Sequence, residues 1–385
     1  VRFKNINFTS TSNTSVPYIV SLGINSTGCI FDSCSFVDST LLGLTSLLFT
    51  GGANDFTVDH CSFKGGVVSL NLMGPASDNC ASNNKVYRSY FEMAKESCLR
   101  VTNQINVIID SNYLNNTQTN PSFVLMLQNC YGASKILNNK IYSSNGASCF
   151  GATDFNGNTS AYAIVANNMF VTESGTNQTI YTPVNIMNTE KMKYVYNTSK
   201  INVATASNIS AATIGGSGAT DVYILNNIFV SMTENNYALN FIPSNNEYVI
   251  DHNLYYSPGA VLNRYMNNQT ATFDAWKTLL HTETGVHHDT NSVFGMPVFL
   301  DITEVDLRTL SLIIQDAGTP IPEVTTDMFG TVRDTESPCI GAYESAPLYN
   351  NLAIEEVLSP QTSCSLGIEN IEVVLKNYGT IISLA

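Results

Sequence analysis

One short phrase recurs along this chain of 385 residues: an apolar pair, two polar residues, Asn or Cys, and then an aromatic or aliphatic residue. Clear copies read IFDSCSF (30–36), TVDHCSF (57–63), IIDSNYL (108–114), ILNNKIY (136–142), VANNMFV (165–171), ILNNIFV (224–230) and VIDHNLY (249–255). Degenerate copies lie at 2–8, 86–92 and 195–201, where we align Ile6, Tyr90 and Ser199 with the Asn or Cys position. Successive copies are 22 to 31 residues apart. Self-similarity at such a period is the signature of a repeat architecture.

The period and the residue types predict an all-β solenoid. Each repeat holds short β-favouring runs separated by turns rich in Asn and Gly, without helical apolar spacing. Leucine-rich repeats have a similar period, but they need a Leu framework that this chain lacks. We therefore predict a right-handed parallel β-helix with three short strands in each coil. Every strand then pairs with its equivalent in the neighbouring coils, about 4.8 Å away.

The Asn or Cys position of the phrase predicts an internal ladder. An Asn that points inward at a turn can hydrogen-bond to its neighbours in the stack and satisfy backbone groups where the chain bends. The predicted ladder residues are Cys34, Cys61, Asn112, Asn139, Asn168, Asn227 and Asn253. Cys34 and Cys61 fall in adjacent coils, where a disulfide is possible but two stacked free thiols are favoured.

Composition narrows the class of protein. Only 12% of residues are charged and 44% are hydrophobic, which argues against disorder. The net charge of −14 repels phosphate backbones, so no nucleic-acid partner is expected. No run approaches the roughly 20 apolar residues of a membrane span. Nine cysteines show neither CxxC pairs nor zinc spacing, so no metal site and no cofactor are predicted.

The phrase resembles the coil repeat of the pectate-lyase-like β-helix superfamily over about residues 1 to 256. Residues 273 to 345 are similar to the closing segment of secreted bacterial β-helix proteins, which reads F-x-x-W, G-x-D-x-x-S, P-x-F, D-A-G and D-I-G-A-Y-E. The matching residues are Trp276, Asp289, Ser292, Pro297, Phe299, Asp316, Ala317, Gly318, Gly341, Ala342, Tyr343 and Glu344. Cys339 departs from the usual Asp. The resemblance implies a secreted or cell-surface bacterial protein.

Three regions follow from the repeat and the resemblance. We predict coils over 1–270, with further coils expected before Val1, and C-terminal coils and a cap over 271–345. Trp276, the single tryptophan, suits the plug of the open end. Residues 346–385 resemble a linker and the opening strands of an immunoglobulin-like module, with an alternating strand at 371–377. Further domains of the same longer chain are therefore expected.

The superfamily includes polysaccharide lyases and hydrolases, so the resemblance implies that a catalytic motif is worth considering. The string Val58-Asp59-His60-Cys61 resembles a pectate-lyase motif. Other coils, however, carry similar residues at the same place, such as 32–34 (DSC) and 251–253 (DHN). A feature repeated in coil after coil indicates stacking rather than a unique catalytic site.

The densest charged segment gives the catalytic candidates for a lyase. Arg88, Lys95 and Arg100 would supply bases and an anion site beside Glu92 and Glu96. Ca²⁺ is expected only if the protein is a lyase, and a solvated turn is the favoured alternative because no clustered calcium ligands accompany these residues.

A second candidate cluster lies in the closing segment. His281, His287, His288 and Asp289 have metal-binding side chains, but the resemblance makes a structural role the favoured interpretation.

The leading functional hypothesis is an extracellular structural rod, adhesin or glycan-contacting scaffold. Polysaccharide or other cell-surface components are the expected partners, with Tyr255, Tyr256 and Tyr265 as candidate sugar-stacking side chains. The alternative is a polysaccharide lyase or glycoside hydrolase that acts in a groove along the rod. An adhesin for protein partners would instead expose an apolar patch.

Overall fold

The computed structural model describes residues 1–10, 17–38, 46–118, 123–173, 182–203, 208–245, 247–300, 306–345, 352–359 and 370–377. Three long parallel sheets confirm the predicted parallel β-helix. Sheet A consists of Arg2–Lys4, Ile30–Asp32, Thr57–Asp59, Lys85–Tyr87, Ile108–Asp110, Lys135–Leu137, Ala163–Ala166, Glu190–Val195, Thr220–Leu225 and Tyr248–Asp251. Sheet B consists of Asn7–Ser10, Ser35–Asp38, Ser62–Lys64, Tyr90–Glu92, Tyr113–Asn116, Lys140–Ser143, Met169–Glu173, Thr198–Asn202, Ile228–Ser231, Leu254–Tyr256 and Val293–Phe294. Sheet C consists of Tyr18–Leu22, Ser46–Gly51, Val68–Met73, Ser97–Ile105, Phe123–Tyr131, Ser148–Asn156, Val184–Met187, Ser210–Gly215, Tyr237–Ile242, Asn263–Tyr265 and Asn268–Thr270, with Ala81–Ser82 paired beside Ser97–Ile105.

The chain visits sheets A, B and C in turn, and the strands of each sheet pair in parallel with their equivalents one coil away. At the end of sheet C, Asn268–Thr270 instead pairs antiparallel with Asn263–Tyr265. Side chains therefore stack in columns that face either the interior or the solvent, as the alternation along a strand requires. One inward column of sheet B holds Phe8, Phe36, Phe63 and Phe91, whose successive ring centroids are 4.8, 4.7 and 4.6 Å apart. Such offset stacks contribute packing energy beyond simple burial.

The bend between sheets A and B has the same two-residue form in successive coils. The first residue has a positive φ, as at Ser33, His60 and Asn138, and the next side chain points inward. The left-handed conformation suits Asn, which tolerates it better than most residues do. The full column of positive-φ residues is Asn5, Ser33, His60, Arg88, Ser111, Asn138, Asn167, Tyr196, Asn226 and His252.

The inward residues of these bends form a continuous ladder of hydrogen bonds. Asn139 shows the repeated pattern, because its backbone N and its Nδ2 donate to Asn168 Oδ1 at 2.9 and 3.0 Å. The Nδ2 of Asn139 also donates to the carbonyl oxygen of Ile109 at 2.9 Å. From Cys34 to Ser292 each member donates its backbone N–H to the next side chain, through Cys61, Ser89, Asn112, Asn139, Asn168, Asn197, Asn227 and Asn253.

The alignment of two degenerate copies was wrong. Ser89 and Asn197 occupy the ladder, whereas Tyr90 and Ser199 lie in strands of sheet B. Cys34 and Cys61 are free thiols, and the backbone N of Cys34 donates to the sulfur of Cys61 at 3.4 Å. Burial raises the pKa of the Cys61 thiol to about 12, so it acts as a small apolar residue.

A helix closes the C-terminal end of the coil stack. It spans Phe273–Thr284 between the N-cap Thr272, whose side chain accepts a hydrogen bond from the Ala275 N–H, and Gly285, which adopts the left-handed conformation. Trp276 and Leu280 on this helix join the solenoid core. The Nε1 of Trp276 donates to Asp289 Oδ2 at 2.6 Å, and Tyr255 and Ser292 donate to the same buried carboxyl group.

Residues 306–345, here called the strap, lie along the outside of sheets A and B. Their only regular element is the 3₁₀ turn Leu312–Ile314. The strap covers apolar side chains of sheet B, including Met169, Ile228 and Leu254, and a second apolar cluster on sheet A. The buried Arg333 fixes it by donating to Glu344 at 3.0 Å and to Asn167 at 2.8 Å. The closing segment thus serves both as an end cap and as a lateral cover.

The last described elements are the strands Leu352–Ser359 and Glu372–Asn377, which form a small antiparallel sheet with two register shifts. The strand predicted at 371–377 is therefore present as Glu372–Asn377. The immunoglobulin-like module remains a prediction.

The buried carboxyl group of Asp289 should make the protein less stable as the pH rises. Burial raises the pKa of its carboxyl group from 3.8 to about 6 in the folded protein, although Ser292, Trp276 and Tyr255 hydrogen-bond to it. A carboxyl group with a raised pKa stabilises the fold fully below its unfolded pKa, and this contribution is lost as pH rises through the folded pKa. The shift corresponds to about 3 kcal/mol.

We expect the free energy of unfolding of the native protein to fall relative to Asp289→Asn by about 2 kcal/mol between pH 4 and pH 7. Urea titrations of both proteins across this range measure the difference between their free energies of unfolding. The other carboxyl groups contribute equally to both proteins and so do not affect this difference. A difference that stays constant with pH would contradict the raised pKa.

Candidate functional site

Arg88 lies at the bend between sheets A and B. Its Nε and Nη2 donate to Asp59 Oδ1 and Oδ2 at 2.9 and 2.7 Å, and His60 Nδ1 lies 3.0 Å from the same carboxylate. These pairs are exposed, so each contributes little to stability. Asp59 and His60, which resemble a lyase motif in the sequence, are therefore engaged with each other and with the next coil.

Lys95 and Arg100 lie at the opposite end of the sheet B strand that follows Arg88. Lys95 is exposed in the turn from sheet B to sheet C, and Arg100 lies on a strand of sheet C. The Nη2 of Arg100 donates to Glu96 Oε2 at 3.0 Å. The structure thus brings Lys95 and Arg100 to one corner of the solenoid and places Arg88 at another.

Arg100 belongs to an outward-facing column of sheet C. Leu99 and Val101 on either side of it are fully buried in the core, so the alternation of the strand directs Arg100 outward. Its partners in register are Asn71 in the preceding coil and Met126 in the following coil, and Asn71 in turn pairs with Phe49. We call Phe49, Asn71 and Arg100 the sheet C site.

The polar members of the sheet C site have unused hydrogen-bonding capacity. Asn71 is only 5% exposed, and among the described residues its buried Oδ1 has no hydrogen-bond partner. The buried Nε of Arg100 also lacks a partner in the described part of the chain. Each such atom costs about 1–3 kcal/mol unless another group supplies its bond. The unpartnered acceptor and the unpartnered donor lie on adjacent strands, about one strand spacing apart.

An aromatic pair stands beside the amide of the sheet C site. The rings of Tyr18 and Phe49 stack with their centroids 4.5 Å apart, and both side chains are partly exposed. An apolar ring face next to an amide and a guanidinium suits the amphipathic surface of a sugar. Sequence reasoning found Arg100 but missed Phe49 and Asn71. The sequence signal that could have identified Asn71 is its position between two leucines in 70–72 (LNL), where the alternation of a strand directs the Asn outward.

The histidines of the closing segment do not converge on a common point. His281 and His287 are exposed and stack with ring centroids 3.8 Å apart and planes 9° from parallel. Imidazole lone pairs lie in the ring plane, so two parallel rings cannot direct them to one ion. His288 is buried against Tyr248, and its burial lowers its pKa. Within the described ranges, no three His, Cys, Asp or Glu side chains are arranged to hold a metal.

Two of the three tyrosines expected to contact sugars are unsuitable. Tyr255 is fully buried with its hydroxyl on Asp289, and Tyr265 is 7% exposed. Tyr256 is partly buried against the cluster beneath the strap. The prediction of exposed rings was wrong for both. Tyr255 packs against Phe273 and Trp276 of the capping helix, and Tyr265 packs against Phe241.

The fold is a parallel β-solenoid, and Phe49, Asn71 and Arg100 lie in one outward column of its sheet C. Comparison with solved structures finds similarity to PfbA, a surface adhesin of Streptococcus pneumoniae, at 12% sequence identity and a TM-score of 0.30. The match covers 65% of this chain and 61% of the adhesin chain, less than two thirds of either. No protein-family model and no curated protein matches the sequence. Among the described residues, no helix is long and apolar enough to cross a membrane.

Proposed function

We propose that this protein is an extracellular structural rod of the bacterial cell surface whose sheet C contacts glycans. The extracellular location is supported by the resemblance of residues 273–345 to the closing segment of secreted β-helix proteins. The role as a rod is supported by the ladder of buried hydrogen bonds from Cys34 to Ser292, which gives every coil the same rigid bend.

The amide oxygen of Asn71, which has no partner in the described part of the chain, is the observation that carries the glycan proposal. A buried acceptor without a donor costs folding free energy, so a role in binding explains why a polar residue stands there. In the proposed complex the Asn71 side chain turns its amide oxygen toward solvent and a sugar hydroxyl supplies the missing donor, while the ring face packs on Phe49 and a second oxygen accepts from Arg100. The three contacts lie on consecutive coils and so form one continuous surface.

Asn71→Leu separates binding from stability. We expect this variant to keep or increase its free energy of unfolding, since an unsatisfied acceptor is removed, and to bind its glycan about tenfold more weakly. Glycan-array screening of the full chain selects the ligand, and calorimetric titration then measures affinity beside urea unfolding.

Asn185→Ala is the matched control. Asn185 lies in the same outward column of sheet C, but three coils beyond Arg100, after Met126 and Gly151 in the register. Equal loss of affinity in both variants, or no loss in Asn71→Leu, would rule out the sheet C site.

A polysaccharide lyase or hydrolase is the second candidate, favoured by the exposed Lys95 beside Arg100 at the sheet C corner. Incubation with acidic and neutral polysaccharides, with and without Ca²⁺, tests it through unsaturated-product absorbance and reducing ends. If the native protein releases product and Lys95→Ala or Arg100→Ala does not, the protein is an enzyme and the rod hypothesis is rejected. A folded protein that binds but releases no product supports the scaffold.

A further inference from the structure

A second aromatic feature lies on the outer face of sheet B, away from the sheet C site. Tyr90 and Tyr113 occupy the same outward column in consecutive coils, since Phe91 and Leu114 beside them point into the core. Their rings stack with centroids 5.3 Å apart and planes 25° from parallel. Tyr90 is 38% exposed, so one end of this stack is open to solvent.

The open end of the stack faces small side chains. In register, Tyr90 pairs with Ser62, and Ser62 pairs with Ser35 in the coil before. Tyr113 stacks on one side of the Tyr90 ring, and on the other side the column continues with two serines, whose side chains are much smaller than a ring. Successive positions of the column are about 4.8 Å apart, which is close to a stacking distance.

Paired charges border this space. Glu92 accepts from Lys64 Nζ at 2.9 Å and from the Tyr90 hydroxyl at 3.1 Å, so its carboxylate is held in place. On the other side, at the bend, Asp59 is paired with Arg88. Each carboxylate therefore has a cation beside it, and neither border presents an excess of one sign of charge to a ligand.

We propose that the Tyr90 notch, formed by Ser35, Ser62, Lys64, Tyr90 and Glu92, binds an uncharged pyranose. The sugar stacks with its C–H face on the free face of Tyr90 and takes the next position of the aromatic column. Its hydroxyls donate to Glu92 and accept from Lys64 and Ser62. A neutral sugar fits because the neighbouring charges already neutralise one another, whereas an anionic sugar would have to compete with Glu92 for Lys64.

Two substitutions at the Tyr90 notch test the proposal from opposite directions. Tyr90→Ala removes the exposed ring, and Ser62→Tyr fills the space with the protein's own ring. We expect about five- to tenfold weaker binding of cellohexaose or maltohexaose by Tyr90→Ala and loss of detectable binding by Ser62→Tyr. Saturation-transfer NMR and titration calorimetry on the full chain measure both, with thermal unfolding to show that each variant is folded.

The outcome is separable from that of the sheet C site. Asn71→Leu leaves the Tyr90 notch intact, so neutral hexasaccharide binding that persists in Asn71→Leu and is lost in Ser62→Tyr supports the notch even if the sheet C proposal fails. Unchanged affinity in Tyr90→Ala and Ser62→Tyr overturns it. The proposal is also overturned if neither neutral hexasaccharide binds the native chain. It is overturned as well if hexagalacturonate binds more tightly than the neutral sugars and Ser62→Tyr abolishes that binding.

Discussion

Asn168→Ala is expected to lower the free energy of unfolding by about 4 kcal/mol, although it removes only a few atoms from an uncharged residue. Asn168 is fully buried, and its Nδ2 donates to the carbonyl oxygens of Ile136 and Ala166, both at 2.9 Å. Its Oδ1 accepts from the backbone N and the side chain of Asn139. Truncation leaves several buried polar groups without partners, and each costs about 1–3 kcal/mol.

The site at which hydrogen exchange increases distinguishes a ladder from an isolated polar contact. Urea unfolding gives the total loss, and hydrogen exchange should show new opening at the backbone N–H of Asn139, one coil before the substitution. Asn7→Ala, at an exposed position of sheet B, serves as the control and should change stability by less than about 0.5 kcal/mol. A loss at Asn168 no larger than that at Asn7 would show that the ladder does not hold the coils together.

The repeat phrase was sufficient for the fold because it places inward and outward residues at fixed positions around the A–B bend. Its limit is visible at the degenerate copies. Arg88 and Tyr196 occupy the left-handed position of the bend, where neighbouring coils mostly have Ser, Asn or His. Where the usual residue type is missing, only the period remains as a guide, and because the period varies between coils it cannot show which residue occupies the ladder position. The errors at Tyr90 and Ser199 were therefore one and two positions.

The strap was not predictable from the alternation of apolar residues. Two of the strands that the strap covers are apolar on both faces, at 169–171 (MFV) and 228–230 (IFV), although the strand between them, 198–202 (TSKIN), is more polar. Earlier strands of sheet B carry polar outward residues, such as Ser62 and Tyr90 beside the inward Phe63 and Phe91. This change from half-apolar to fully apolar strands marks where a cover must lie. It does not reveal which segment supplies that cover, because contacts such as Arg333 with Asn167 join residues far apart in the chain.

The sheet C site required the structure for a different reason. Phe49, Asn71 and Arg100 are separated by 22 and 29 residues, and only the coil register makes them neighbours. In the sequence, Arg100 stood out because charge is rare in this chain, whereas one Asn among many carries no signal. Within the described residues Asn71 has an unpartnered buried amide oxygen, a property that it shares with Asn115 and Asn240 and that no composition or spacing argument can show.

Trp276→Ala should be comparably destabilising, with a loss of about 4 kcal/mol, because it removes the largest side chain of the cap. Trp276 is fully buried and packs edge-on against Tyr255 of the last full coil. Its removal opens the end of the core and exposes unpaired strand edges, so we also expect concentration-dependent association. Urea unfolding and size-exclusion chromatography measure the two effects. Lys277→Ala, on the next residue of the same helix, should show neither.

Trp276→Phe then separates packing from the hydrogen bond to Asp289. The variant keeps most of the ring but loses the Nε1–H donor that favours the charged carboxylate. We expect the pKa of Asp289 to rise further, so that this variant loses more stability than the native protein between pH 4 and pH 7. An unchanged pH profile in Trp276→Phe would mean that the indole acts through its volume alone. The cap would then close the solenoid by packing, with the buried carboxyl group as a passive neighbour.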